Sequence, residues 1–314
     1  MKTLALPLAL LTTTLALSPP VQAAGSLTRT FVSSAGSDSN PCTVTQPCAT
    51  FAAAYNAVAS EGIVAALDPG KYGPLTITGP VTIDGNGWAA ITAPTNNVQG
   101  IGIAINAGPN DNVILRGLLV DGAGQPNTWG INFTSGALLA VIDCVVRNMT
   151  ITGLNFGSSA STLQTLSVSD SYIISSITGI SVAANSSGNV TASIDRTVMI
   201  NNDQGGLVVS AAYGGGAATA AVTDSVSVGN QSGFAVETIA PSTATLTVTR
   251  SQAIGNETGW LANGTNATMF VAQSSVTGGT YAFQASSSAV INSYGDNYIT
   301  NAAHIGSLTP VSKQ

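Results

Sequence analysis

Two groupings of residues in this sequence have the types and spacing to do chemistry. The first is a periodic line. Arg116, Asp143, Asp170, Arg196, Asp224, Arg250, Gln273 and Asn292 each stand third in a four-residue phrase that begins with Val or Ile, from Ile114-Leu115-Arg116-Gly117 to Val290-Ile291-Asn292-Ser293. Side by side, Asp143 and Asp170 would be adjacent carboxylates, a pairing that acid–base catalysis can use. The alternating sign from Asp170 onward suits a ladder of ion pairs. Equivalent residues on neighbouring strands lie roughly 4.8 Å apart, so Arg196 can reach Asp170 and Asp224, and Arg250 can reach Asp224. Strict alternation from Val168 would turn Asp170 inward, where burying so many charges is very costly. A bend that leaves the line outside is expected, with Arg116, Asp143, Asp170, Arg196, Asp224 and Arg250 forming a structural ladder rather than a catalytic row.

The second grouping is the irregular stretch from Asp121 to Trp129, Asp-Gly-Ala-Gly-Gln-Pro-Asn-Thr-Trp. Trp129 could stack on a sugar ring, Asp121 and Asn127 could hydrogen-bond its hydroxyls, and Asp143, Arg147 and Asn148 follow one repeat later. These six are the candidate glycan contacts. The alternative is a surface loop whose Trp packs back onto the body. No catalytic residue can be assigned. The one histidine, His304, lies in Ala-Ala-His-Ile near the C-terminus, where a capping or surface role fits better than catalysis. Cys144 has no base beside it and reads as a small buried hydrophobe. No metal-ligand set or cofactor motif is present, so neither a metal nor a cofactor is expected.

The elements that must carry these residues are set by a recurring phrase, Gly-hydrophobic-x-hydrophobic. It reads Gly130-Ile131-Asn132-Phe133, Gly153-Leu154-Asn155-Phe156, Gly179-Ile180-Ser181-Val182, Gly206-Leu207-Val208-Val209, Gly233-Phe234-Ala235-Val236 and Gly259-Trp260-Leu261-Ala262. Thr280-Tyr281-Ala282-Phe283 closes the series with Thr in the glycine position. An interval of roughly 21 to 27 residues marks a solenoid whose repeats bury their apolar sides against their neighbours. Alternation within the phrase is that of a strand. Asn202, Asn230 and Asn256 come just ahead of the repeat glycine. They read as corner residues that tolerate left-handed backbone and hydrogen-bond to the next rung.

Composition narrows the partners. Only 7% of residues are charged and the formal net charge is −6, which with no basic cluster argues against nucleic acid and anionic membrane surfaces. Met1-Lys2-Thr3, the apolar run Leu4 to Leu17 and Val21-Gln22-Ala23 form a secretory leader cleaved after Ala23. That apolar run is too short to span a bilayer, and no membrane span is expected elsewhere. In the oxidising compartment a leader implies, Cys42 and Cys48 could close a short loop as a disulfide; two free thiols are the alternative. Ala49 to Ser60 reads as a helix with Phe51, Tyr55 and Val58 on one face, placed to cover the open N-terminal end of the solenoid. The expected organisation is leader 1–23, N-terminal cap with disulfide loop and helix 24–62, solenoid 63–301 and tail 302–314. The sequence sets no oligomeric state.

Cys48-Ala49-Thr50-Phe51-Ala52-Ala53-Ala54, Gly62-Ile63-Val64, Asp68-Pro69-Gly70-Lys71-Tyr72 and Val81-Thr82-Ile83-Asp84-Gly85-Asn86-Gly87-Trp88 resemble the opening of secreted right-handed parallel β-helix proteins of the pectin-lyase-like superfamily. The resemblance runs from about residue 30 to 300. It implies an all-β, right-handed parallel β-helix with a short N-terminal capping helix. The superfamily's enzymes carry clustered acids for calcium with an Arg or Lys base, or Asn-Thr-Asp, Asp-Asp, Gly-His-Gly and Arg-x-Lys motifs; none occurs here. The expected role is binding of an extracellular polysaccharide or surface without catalysis, and the alternative is a polysaccharide lyase or glycosidase.

Overall fold

The computed structural model describes residues 25–94, 100–300 and 303–312. The leader over residues 1–23 lies outside the described residues. A typical rung is three strands, Leu163–Ser169, Tyr172–Ile174 and Thr178–Asn185, and the next rung repeats them as Asn189–Asp195, Val198–Ile200 and Gly205–Ala212. Counterparts pair in parallel: Val168 with Ile194, Ile173 with Met199, Ile180 with Leu207. The first and second strands of the rungs stack into a 20-stranded sheet and the third strands into a 10-stranded one. The chain is thus an all-β parallel solenoid with three faces.

Alternation produces this shape. Leu166, Val168, Ile173, Ile180 and Val182 project inside and are fully buried, and like side chains fall over like. Phe133 stacks on Phe156 with ring centroids 4.3 Å apart. Each rung must also turn corners inside which backbone groups lose water, and two side-chain ladders serve them. At the corner between first and second faces the chain takes a left-handed residue: Asp143, Asp170, Arg196, Asp224 and Arg250 have φ of 50, 52, 44, 49 and 46°. Their side chains are exposed, and a buried hydroxyl follows. The Ser171 Oγ accepts from the Cys144 amide at 3.1 Å and donates to the Ser169 carbonyl at 2.8 Å. Ser225, Ser251 and Ser274 accept in the same way from Thr197, Ser225 and Ser251. Cys144, buried and free, occupies the same place with its sulfur, and burial raises its thiol to about 11.

At the corner before the third face the buried amides of Asn202, Asn230 and Asn256 form the other ladder. The Asn230 Oδ1 accepts from the Asn202 amide at 2.7 Å and the Asn202 Nδ2 at 3.0 Å; Asn256 serves Asn230 likewise at 2.9 and 3.0 Å. The left-handed residue is the one ahead of each Asn: Asn201, Gly229 and Gly255. At every repeat glycine a Cβ would crowd the next rung's backbone carbonyl, and at Gly179, Gly206 and Gly233 this ladder adds a second obstacle. A Cβ on Gly179 or Gly233 would come within 2.9 Å of the Nδ2 of Asn202 or Asn256, and within 2.5 or 2.6 Å of the next rung's glycine carbonyl.

Register corrects two alignments. Arg116 pairs with Ile142, not Asp143; the left-handed corner residue of its rung is Gly117, φ 60°. Trp260 pairs with Phe283, so the last repeat reads Ala282-Phe283-Gln284-Ala285 and Ala, not Thr, replaces the glycine. Among the described residues the helix covers Phe51–Ala57, seven residues capped by Thr50, instead of Ala49–Ser60. Val58 has φ −82° and ψ 144° and opens the strand Val58–Ala66, whose pairing with Leu27–Val32 starts the stack ahead of residue 63. Cys42 and Cys48 form a disulfide. No described helix is long and apolar enough to cross a membrane.

Replacing Asn230 with Ala orphans two buried donors of Asn202, each costing about 1–3 kcal/mol. Asn230→Ala is therefore expected to lower unfolding free energy by about 2–4 kcal/mol in urea titrations, against less than about 0.5 kcal/mol for Ser193→Ala on the exposed side of a strand.

Candidate functional site

The widest concentration of outward polar side chains lies on the 10-stranded sheet. One column runs Ser181, Val208, Ala235, Leu261, Gln284, each in register with the next. Ala235 is small and buried, so this column makes a floor. Gln204, Gln231 and Glu257, at the corner residues that precede Gly205, Ser232 and Thr258 on successive rungs, form one wall. Glu237 and Asn263, a register pair, form the other. The resulting trough has a volume of about 390 Å³. A second trough of about 510 Å³, lined by Asn148, Thr150, Ser175, Asn201 and Asp203 among others, adjoins it at the consecutive residues Ile177–Thr178 and Asp203–Gln204.

The trough is electrostatically one-sided. Asp203, Glu237 and Glu257 line the two parts and no Lys or Arg does. Glu237 has no hydrogen bond or ion pair among the described residues, and burial alone pushes its carboxyl above the usual range. Glu237 and Glu257 stand at different points along the trough. Glu237 is level with Asn263, and five residues of extended strand, roughly 17 Å, separate that position from Thr258 beside Glu257. Among the described residues no three His, Cys, Asp or Glu side chains are grouped to hold a metal ion.

The residues singled out from the sequence divide among three places. Asp121, Arg147 and Asn148 come together: the Arg147 Nε donates to Asp121 at 2.9 Å and the Asn148 Nδ2 at 3.1 Å. Burial raises the Asp121 carboxyl, but the Ala123 amide, Asn148 and Arg147 outweigh it and hold it low. Asn127 is an exposed, left-handed residue. Trp129 is half-buried on the 10-stranded sheet, its Nε1 buried without a partner among the described residues, in register with Thr152 and through it with Thr178 of the trough. Asp143 lies at the opposite end of the second face from Arg147, so it does not share a groove with Asp121.

Along the corner line, Arg196 makes two bonds to Asp170 at 2.7 and 2.8 Å, and Arg250 two to Asp224 at 2.8 Å. These bonds hold both carboxyls below the usual range. The second ion pair of Arg196 is with Asp195 instead of Asp224. Asp143 has no ion pair among the described residues. Arg116, off the line, pairs with the buried Asp84. Sequence reading missed Gln204, Gln231, Glu237 and Glu257. The available signal was their outward register beside the repeat phrase.

The fold is an all-β parallel β-solenoid, an architecture found in solved structures. The structure resembles that of pectate lyase Pel9A, with a TM-score of 0.55, 14% identity, and coverage of 90% of this chain and 80% of the other. Mannuronan C-5 epimerase AlgE4 A-module of Azotobacter vinelandii gives a TM-score of 0.48 at 14% identity over 91% of this chain and 89% of that one. No family model and no curated protein matches the sequence. At such identity the likeness speaks for the fold.

Because its folded-state carboxyl is raised, Glu237 favours folding while protonated and loses that contribution as pH rises from its ordinary 4.5 through the raised value. Glu237→Gln is expected to melt higher than the parent at pH 7, with the gap closing below about pH 4. Calorimetry across pH 3–8 reads it out, and a gap that grows toward acid pH would contradict the assignment.

Proposed function

We propose that this is a secreted β-helix that binds an extracellular glycan along the trough and performs no chemistry on it. The observation that supports the reading is the lining: amides and hydroxyls of Gln204, Gln231, Asn263, Gln284, Ser181 and Thr178 presented along several rungs of a rigid sheet. Rigid, repeating donors and acceptors suit a polymer of hydroxylated units. Three carboxylates without a basic partner disfavour a polyuronate and favour a neutral or amino sugar.

Trp129, two rungs beyond Thr178, extends the same path as a stacking platform. Asn148, steadied by Asp121 and Arg147, continues it through the adjoining trough with Asn127 at its margin. Asp143 drops out of the contact set. The disulfide and the leader support secretion, and the parallel crossovers support right-handed winding. The short helix, with Phe51, Ala54 and Tyr55 buried and Phe51 edge-on to Tyr72, serves as the N-terminal cover of the core. A second reading, a polysaccharide lyase or glycosidase, is favoured by one feature: a carboxyl of raised pKa standing in a groove.

Titration against neutral, amino and uronate polysaccharides tests both. Binding to a neutral or amino glycan, weakened about tenfold, or about 1.4 kcal/mol, by Gln231→Ala and by Trp129→Ala, is expected. Absence of binding to every glycan would refute the proposal. New reducing ends or unsaturated products, with or without calcium, would favour the enzyme reading.

A further inference from the structure

We propose that the three-residue second face is a self-association surface, on which a second copy of this chain docks antiparallel about a two-fold axis lying across the solenoid. The outside of this face is apolar. Tyr172 and Ile174, Val198 and Ile200, and Val226 and Val228 take the two outward positions of three successive rungs. Tyr172 is 47% exposed and the other five are half-buried. The residues between them, Ile173, Met199 and Ser227, point inside and are buried. On either side the strip turns half polar, with Val145 and Arg147 on the rung before and Gln252 and Ile254 on the rung after, and Ser275 and Thr277 follow.

The corner line along one edge selects the partner. In rung order it reads Asp143, Asp170, Arg196, Asp224, Arg250, Gln273. A two-fold axis in the plane of the face and perpendicular to the solenoid lays this edge against the same edge of the second copy with the rung order reversed. Centred between the rungs of Arg196 and Asp224, it opposes Arg196 to the partner's Asp224, Asp170 to the partner's Arg250 and Asp143 to the partner's Gln273. No like charges meet. Moving the axis one rung either way halves the opposed pairs, and toward the N-terminus it sets Asp143 against the partner's Asp224. In the favoured register Val198 and Ile200 meet the partner's Val226 and Val228. On the other edge Ser175, Asn201, Gly229 and Gly255 are uncharged, and Arg147, on the rung of Asp143, falls opposite the partner's Thr277. The contact is isologous, so it closes as a dimer, and it leaves the face of the 10-stranded sheet open.

From Asp143 to Gln273 the line covers five rung spacings, so the contact is about 24 Å long. With both edges it buries on the order of 400 Å² per copy, about half a standard interface. Association is therefore weak, and charge directs its register more than its strength.

The test is sedimentation velocity of the mature protein from about 1 µM to about 1 mM, with thermal melts confirming that each variant is folded. A reversible monomer–dimer equilibrium is expected, weakened at least about tenfold by Arg196→Glu and by Val226→Asp, and regained in the double variant Arg196→Glu/Asp224→Arg, where the opposed signs are exchanged. A monomer over the whole range overturns the proposal, as does a dimer indifferent to Arg196→Glu or a double variant that fails to recover.

Discussion

Everything in this molecule depends on the polar groups inside its corners finding partners on the next rung. Parallel strands alone would tolerate sliding, since a shift by two residues keeps the same side chains inside. The buried hydroxyls of Ser171, Ser225, Ser251 and Ser274 and the buried amides of Asn202, Asn230 and Asn256 do not tolerate it. Each accepts from a backbone N–H one rung away, and a slip would strand donors at about 1–3 kcal/mol apiece. Both ladders hold rung to rung, so the solenoid is specified by nearest neighbours.

This constraint explains what the sequence made legible. The repeat glycine was visible because it recurs where the next rung's backbone carbonyl leaves no room for a Cβ. The corner line was visible because left-handed Asp and Arg followed by a hydroxyl residue is an uncommon phrase. Arg116 was misplaced by one because Gly117 makes that turn without a charged residue. The last repeat was misplaced because Ala282 gives no glycine to align on. The helix was drawn too long because Val58 fits an apolar helical face and a strand equally well, and pairing with Leu27 decides for the strand.

The trough was harder to read for a physical reason. Its walls are built from residues one rung apart, Gln204, Gln231 and Glu257, which have neither a local motif nor a common residue type. The Asp121–Trp129 stretch drew notice through its irregularity, yet its carboxylate is bound by the guanidinium of Arg147 on the next rung. Irregular sequence marks a place where the chain departs from the rung; regular sequence with polar outward positions marks where a long ligand can lie.

Charge is distributed in keeping with this division. Of the arginines that follow the first strand, Arg116, Arg147, Arg196 and Arg250 are each engaged by a carboxylate, and three of those pairs bridge neighbouring rungs at exposed corners. Such exposed pairs add at most about 1 kcal/mol each, far less than the buried ladders, so stability alone does not account for placing scarce charge there. The value of Arg196–Asp170 and Arg250–Asp224 is directional: they give one edge of the apolar strip a sequence of signs that can be matched. The carboxylates of the trough, by contrast, are left without cations, and Glu237 in particular is desolvated at a cost to the fold. A protein that spends its few bases on one face and withholds them from another has two outer surfaces of different chemistry on one frame.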